Sequence, residues 1–175
     1  MKVRRPTGCL LALLFLEISI YGAQPTRRTF DAGSFKHPVK LSKSVLNVLA
    51  AADDRGFAHD WIEEHPDGDL NQFFDAIPIH LTDSDDQDYL VLGEFPLTGA
   101  DNDWFWVVHT VNSHPHVILW ANGNTLQLSP TTHNGLPDIH TDWWAASGYG
   151  WADTFQFNGK KYVRVRHRET VREMK

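Results

Sequence analysis

The residues with the most chemistry to offer in this chain are its histidines, aspartates and tryptophans. All ten histidines lie beyond residue 23; His109, His114 and His116 surround one turn, and His133, His140 and Asp142 follow. Three imidazoles with an open fourth position would hold a catalytic zinc and acidify a bound water. No His-Glu-x-x-His segment occurs, so a zinc site would need strands to gather His109, His114, His116, His133 and His140. A nucleophile is not evident: no serine sits in a Gly-x-Ser-x-Gly setting, and Ser147-Gly148-Tyr149-Gly150 lacks a strand-to-helix context. Carboxylates such as Glu63 and Glu64 are adjacent, whereas glycosidic cleavage needs two acids flanking one bond. All seven tryptophans also lie beyond residue 23. Exposed indoles beside Asn, Asp and His would suit a glycan platform, and Trp104, Trp106, Trp143 and Trp144 are the candidates for it.

Two segments share a pattern. Residues 82–91 (TDSDDQDYLV) and 132–139 (THNGLPDI) each begin with Thr, pass a polar turn, reach Asp88 or Asp138 and then become apolar. The second resembles the end of the calcium loops in FG-GAP and VCBS-type repeats of extracellular β-propeller proteins. Phe157-Asn158-Gly159-Lys160-Lys161-Tyr162 is similar to a hairpin common in small secreted bacterial proteins of unassigned function. The calcium resemblance implies oxygen ligands at alternating positions with glycine at the sharp turn, as a hard cation requires. It would place His80, Thr82, Ser84 and Asp88 around one ion, and Pro130, Thr132, Asn134 and Asp138 around another. Gly135 stands at the turn position of the second loop and Asp85 at that of the first, and each set holds one carboxylate.

The elements that must position these groups begin after an export segment. Lys2, Arg4 and Arg5 precede an apolar run from Cys9 to Tyr21, and small residues stand at Gly22 and Ala23. That is the layout of a cleavable bacterial secretory signal over residues 1–23, with an apolar core too short to span a bilayer. Cleavage would remove Cys9, the sole cysteine, and leave a chain with no thiol chemistry and no transmembrane anchor. It would also remove three cations and one anion from a protein of net charge −6, making the remainder more acidic. Such a balance disfavours nucleic acid, whose binding requires a basic footprint. Acids dominate residues 53–88 and bases residues 160–175; the charge reads as two solvated surfaces or, in a sharper reading, as an acidic face for a cationic partner.

Residues 24–40 are polar and rich in Pro, Arg and Gly, and read as a flexible leader before a single β-rich domain over 41–175. Ser42 can cap a helix whose Val45, Leu46 and Leu49 share one face, and Gly56 can end it. A further helical turn is expected between His59 and Glu64. Strand periodicity then predicts Phe73–Leu81, demoted to an edge by Pro78, followed by 89–92, 104–111, 117–120 and 125–128. Both faces of 104–107 are apolar, which predicts a central strand covered on each side. Ala121-Asn122-Gly123-Asn124 and Asn158-Gly159 read as hairpin turns. The expected class is α+β: a mostly antiparallel meander of hairpins with one or two short N-terminal helices.

The function that follows is a periplasmic or secreted noncatalytic module binding a protein, glycan or cell-envelope ligand, with inhibitor or immunity proteins within that class. It has two alternatives: a metal-dependent hydrolase using the clustered histidines, and a β-module stabilised by calcium at Asp88 and Asp138. No cofactor is predicted, with calcium or zinc as the ions those alternatives would require.

Overall fold

The computed structural model describes residues 27–53, 56–65, 67–82, 85–98 and 103–171. The expected signal, Cys9 and Ser84 lie outside these residues. Two antiparallel sheets and a pair of helices form three layers. One sheet has the order β2 (Phe74–Ile79), β3 (Asp88–Gly93), β4 (Asp103–Val111) and β5 (His114–Gly123). The other has the order β1 (Arg28–Phe30), β6 (Thr125–His133), β7 (Leu136–Trp144), β8 (Tyr149–Phe157) and β9 (Tyr162–Val171). Helices α1 (Lys43–Ala52) and α2 (Phe57–Glu64) cover the outer face of the four-stranded sheet. No helix among the described residues is long and apolar enough to cross a membrane.

Alternation along β4 sorts the core. Phe105 and Val107 face the five-stranded sheet and join Leu90, Leu92, Leu126 and Ile139 between the layers. Trp104, Trp106 and Val108 face the helices and join Val45, Leu46 and Leu49. β4 is thus the central strand, covered on both faces, that its apolar run predicts. Ser42 caps α1 by accepting a hydrogen bond from the Val45 amide at 3.4 Å. Gly56 does not end that helix directly: α1 stops at Ala52, and Gly56, at φ 73°, leads into α2. The Asp53 carboxylate accepts from the Ala58 amide at 2.8 Å and holds the start of α2. Pro78 lies on β2, an edge strand, where its missing N–H costs no ladder bond.

Three tight turns follow from residue type. β4 and β5 are joined through Asn112 and Ser113, at φ 51° and 64°, the left-handed pair that matches hairpin twist. Asn134 and Gly135, at φ 49° and 86°, do the same between β6 and β7. Asn158 closes the β8–β9 turn, its side-chain oxygen accepting from the Lys160 and Lys161 amides at 3.0 and 2.9 Å.

The structure departs from the sequence reading at two places. The first is the leader: Arg28–Phe30 pairs with Leu126–Leu128 of β6, and Phe35 is buried between the sheets. Composition alone concealed this, because a three-residue strand borrows its stability from the sheet it joins. The second is Ala121-Asn122-Gly123-Asn124, which is a corner and no hairpin. β5 pairs with β4 up to Gly123, and from Thr125 β6 pairs with β7, so the chain passes from one sheet into the other. The Asn124 amide donates to the Asp142 carbonyl at 2.6 Å, and the Trp144 amide donates to Asn124 Oδ1 at 2.6 Å. A Cβ on Gly123 would stand 2.7 Å from the Asp142 carbonyl oxygen, closer than real contacts allow. Gly123→Ala is expected to destabilise the fold by about 2 kcal/mol through overpacking against backbone. A urea unfolding midpoint equal to that of the parent protein would contradict this.

Candidate functional site

The histidines do not assemble one centre. Among the described residues no three His, Cys, Asp or Glu side chains form a group that could hold a metal ion. His109 lies near the end of β4 and donates from Nδ1 to Asp88 at 2.8 Å. His116 is its cross-strand partner on β5, and His114 stands at the exposed turn with Nδ1 2.7 Å from the Asn112 carbonyl. His133 donates to Asp138 at 2.6 Å from the other sheet. His140 faces outward on β7 and shares a 3.0 Å hydrogen bond with Thr154.

A recurring unit does emerge, a buried aspartate bonded to an imidazole. Besides Asp88–His109 and Asp138–His133, Asp153 accepts from His167 Nδ1 at 2.6 Å and from Arg164 Nη1 at 3.2 Å. All three carboxylates are at most 5% exposed. Burying an ionised carboxylate is costly unless its oxygens are hydrogen-bonded. Asp88 meets that need most fully: it also accepts from the Leu81 amide at 3.1 Å and the Thr110 amide at 3.0 Å. It thereby ties β3, β4 and the segment after β2 together. Asp138 also accepts from Gln156 at 3.4 Å. Tyr162, held by its hydroxyl donating to the Pro137 carbonyl at 2.6 Å, is pushed well above the ordinary phenol pKa by burial, with Asp138 and Asp88 adding to it. Of the residues that the calcium resemblance singles out, Asn134 and Gly135 form the hairpin turn, while Asp88 and Asp138 point at histidines.

The four tryptophan candidates separate by burial. Trp104 is 8% exposed and Trp106 0%, and both are core residues beneath the helices. They present no face to a ligand, because strand β4 is covered on each side. Trp144 is half-buried, its indole lying where a side chain on Gly150 would stand. Trp143 belongs to a surface. Its ring stacks on Trp151 at 6.1 Å between centroids and 22° between planes, and meets Tyr149 at 6.2 Å. His167 lies 6.3 Å beyond Trp151.

Register explains the grouping. Trp143 opposes Trp151, which opposes Glu169, while Tyr149 and His167 lie on the same side of β8 and β9. These residues continue the inward face of the five-stranded sheet, where Ile139 and Phe155 pack into the core. At this end the face is open: Tyr149 is 38% exposed, and Trp143 and Trp151 are half-buried. The outcome is a row of aromatic rings with an imidazole, a guanidinium (Arg164) and a carboxylate (Glu169) at its margin. Sequence reasoning missed Tyr149, His167 and Glu169. The period-two series Tyr149, Trp151, Asp153 was the available signal, hidden by the glycines at 148 and 150.

A set of carboxylates marks another surface. Burial raises the pKa of Asp75, Glu94 and Asp103; Asp75 and Asp103 add to the effect on Glu94, and Asp31 to that on Asp103.

No protein-family model, curated protein or solved structure matches the chain.

Two measurements check these electrostatic assignments. Asp88→Ala would strand the Leu81 and Thr110 amides and unpair His109, and is expected to cost about 3 kcal/mol in urea unfolding. The raised carboxylates work in the opposite sense. A folded-state pKa above the unfolded value contributes stability that is full at low pH and is lost as pH rises through the raised value. Asp103→Asn is therefore expected to raise the melting temperature at neutral pH, with the advantage shrinking as pH falls toward the usual carboxylate range.

Proposed function

We propose that this protein is an exported, noncatalytic binding module whose ligand is a glycan of the cell envelope or its surroundings. The observation that carries this reading is the open stack of Trp143 and Trp151 with Tyr149 beside it. The apolar C–H face of a sugar ring lies flat on an indole, while its hydroxyls need polar partners at the edge. His167, Arg164 and Glu169 occupy that edge, and Asp153 fixes the first two by hydrogen bonds. Their geometry is therefore set before a ligand arrives, which lowers the ordering cost of binding. A contiguous aromatic patch rimmed by polar groups is also the kind of surface that proteins use for recognition.

Export supports an envelope ligand and rests on the charged and apolar layout of residues 1–23. The reading assigns no catalytic residue. The three Asp–His units are bonded into strand junctions.

Sedimentation of the purified protein with insoluble peptidoglycan, chitin and cellulose tests the reading. Binding to at least one is expected, with Trp151→Ala weakening it about tenfold, as loss of a central aromatic anchor does. Failure of the parent protein to co-sediment with any of them, or binding that Trp143→Ala and Trp151→Ala leave intact, would remove the basis for the proposal.

A further inference from the structure

The opposite face of the five-stranded sheet carries a second arrangement, independent of the aromatic one. Five residues stand in one register row across all five strands: Thr29, Gln127, His140, Thr154 and Arg166. The next row is Thr125, Asp142, Ala152 and Arg168. Residues opposed in this way project from the same face with Cβ atoms about 5 Å apart. Along these rows lies an open hollow of about 380 Å³, lined by the row residues of β1, β6, β7 and β8 together with Arg27, Thr141 and Asp153; Arg166 and Arg168 stand beyond it, on the β9 side. Small-molecule sites commonly begin at about 300 Å³.

Every side chain at the floor, except Ala152, carries a hydrogen-bonding group. Their orientations are set by one another. Gln127 Nε2 donates to Thr29 Oγ1 at 2.8 Å, Thr125 Oγ1 donates to Asp142 Oδ1 at 2.5 Å, and His140 pairs with Thr154. Burial first, and then the nearby Arg27 guanidinium, lower the His140 pKa, so its ring serves as a neutral hydrogen-bonding group.

The cations distinguish this face. Arg164 is matched to Asp153 on the inward side, yet Arg27, Arg166 and Arg168 make no ion pair among the described residues. They stand at both ends of the row, against two carboxylates that are already bonded, Asp142 to Thr125 and Asp153 to Arg164 and His167. Three exposed guanidinium groups without an ion pair among the described residues give this face a local positive charge on a protein of net charge −6. The hydroxyls, amide and imidazole of the floor between them suit a ligand with many hydroxyls.

We infer that this strip binds an anionic saccharide. Its carboxylate or sulfate groups would meet Arg166, Arg168 and Arg27, and its hydroxyls would meet Thr29, Gln127, His140 and Thr154.

The test is calorimetric titration of the full chain at low ionic strength with four probes: oligogalacturonate, sulfated dextran oligosaccharide, neutral dextran oligosaccharide and inorganic phosphate. At least one charged oligosaccharide is expected to bind, and to do so at least tenfold more tightly than neutral dextran and phosphate. Arg166→Gln and Arg168→Gln are each expected to weaken it about tenfold, the loss expected for one charge-assisted hydrogen bond. Gln127→Ala should weaken it less. Trp151→Ala, on the other face, should leave it unchanged, which separates this site from the aromatic one. A preference for carboxylate or for sulfate identifies the anion. Equal binding of neutral dextran, equal binding of phosphate, no binding of either charged probe, or indifference to both arginine substitutions would overturn the assignment.

Discussion

Everything in this molecule depends on a corner that leaves no room for a side chain. At Gly123 the chain ends its pairing with β4, and from Thr125 it pairs with β7, so one continuous stretch belongs to two sheets. The backbone of β7 passes so close that a methyl group at Gly123 would collide with the Asp142 carbonyl. Asn124 then locks the crossing by bonding two successive backbone groups on one edge of β7, the Asp142 carbonyl and the Trp144 amide. This approach sets how the two sheets face each other, and hence which residues of β7 and β8 are covered by the four-stranded sheet. Ile139 and Phe155 fall under it. Trp143, Trp151 and Tyr149 fall outside it, and the open aromatic row is the direct result.

Polar groups inside such a sandwich are admissible only when paired, and here the pairing follows one scheme. Asp88, Asp138 and Asp153 each sit near a strand junction and each accept from a histidine. Asp88 shows the purpose best, because its oxygens also satisfy two backbone amides that no strand ladder reaches. The histidine clustering that suggests metal chemistry in the sequence thus corresponds, in the fold, to separate structural partnerships.

Much of the architecture was legible in the residues. Pro78 foretold an edge strand, the alternating Trp104-Phe105-Trp106-Val107 run foretold a doubly covered centre, and Asn158-Gly159 foretold a turn. What escaped was long-range. β1 is three residues long and exists because Leu126–Leu128 offers it a ladder, information held a hundred positions away. Asn122-Gly123-Asn124 has the composition of a hairpin turn, and only the approach of Asp142 makes it a corner. For the candidate surfaces, Trp143 was visible as an indole but its partner Trp151 became a neighbour through register. The arginines of residues 164–168 read as a basic run. Period-two alternation would put all three on one face; the bulge opposite Thr154 and Phe155 divides them, sending Arg164 inward to Asp153 and Arg166 and Arg168 outward.

The strand β9 has a consequence beyond recognition. It closes one side of the five-stranded sheet, and its unpaired backbone would invite another chain to add itself there. Arg164, Arg166, His167, Arg168 and Glu169 load that border with charge, so that a second copy laid alongside would meet repulsion before it could form a ladder. The other borders are guarded by different means: β2 carries Pro78, β1 is only three residues long, and β5 is bulged at Ile118 with α1 lying against it. Each border thereby discourages edge-to-edge pairing of sheets, a restraint encoded in the borders rather than the core.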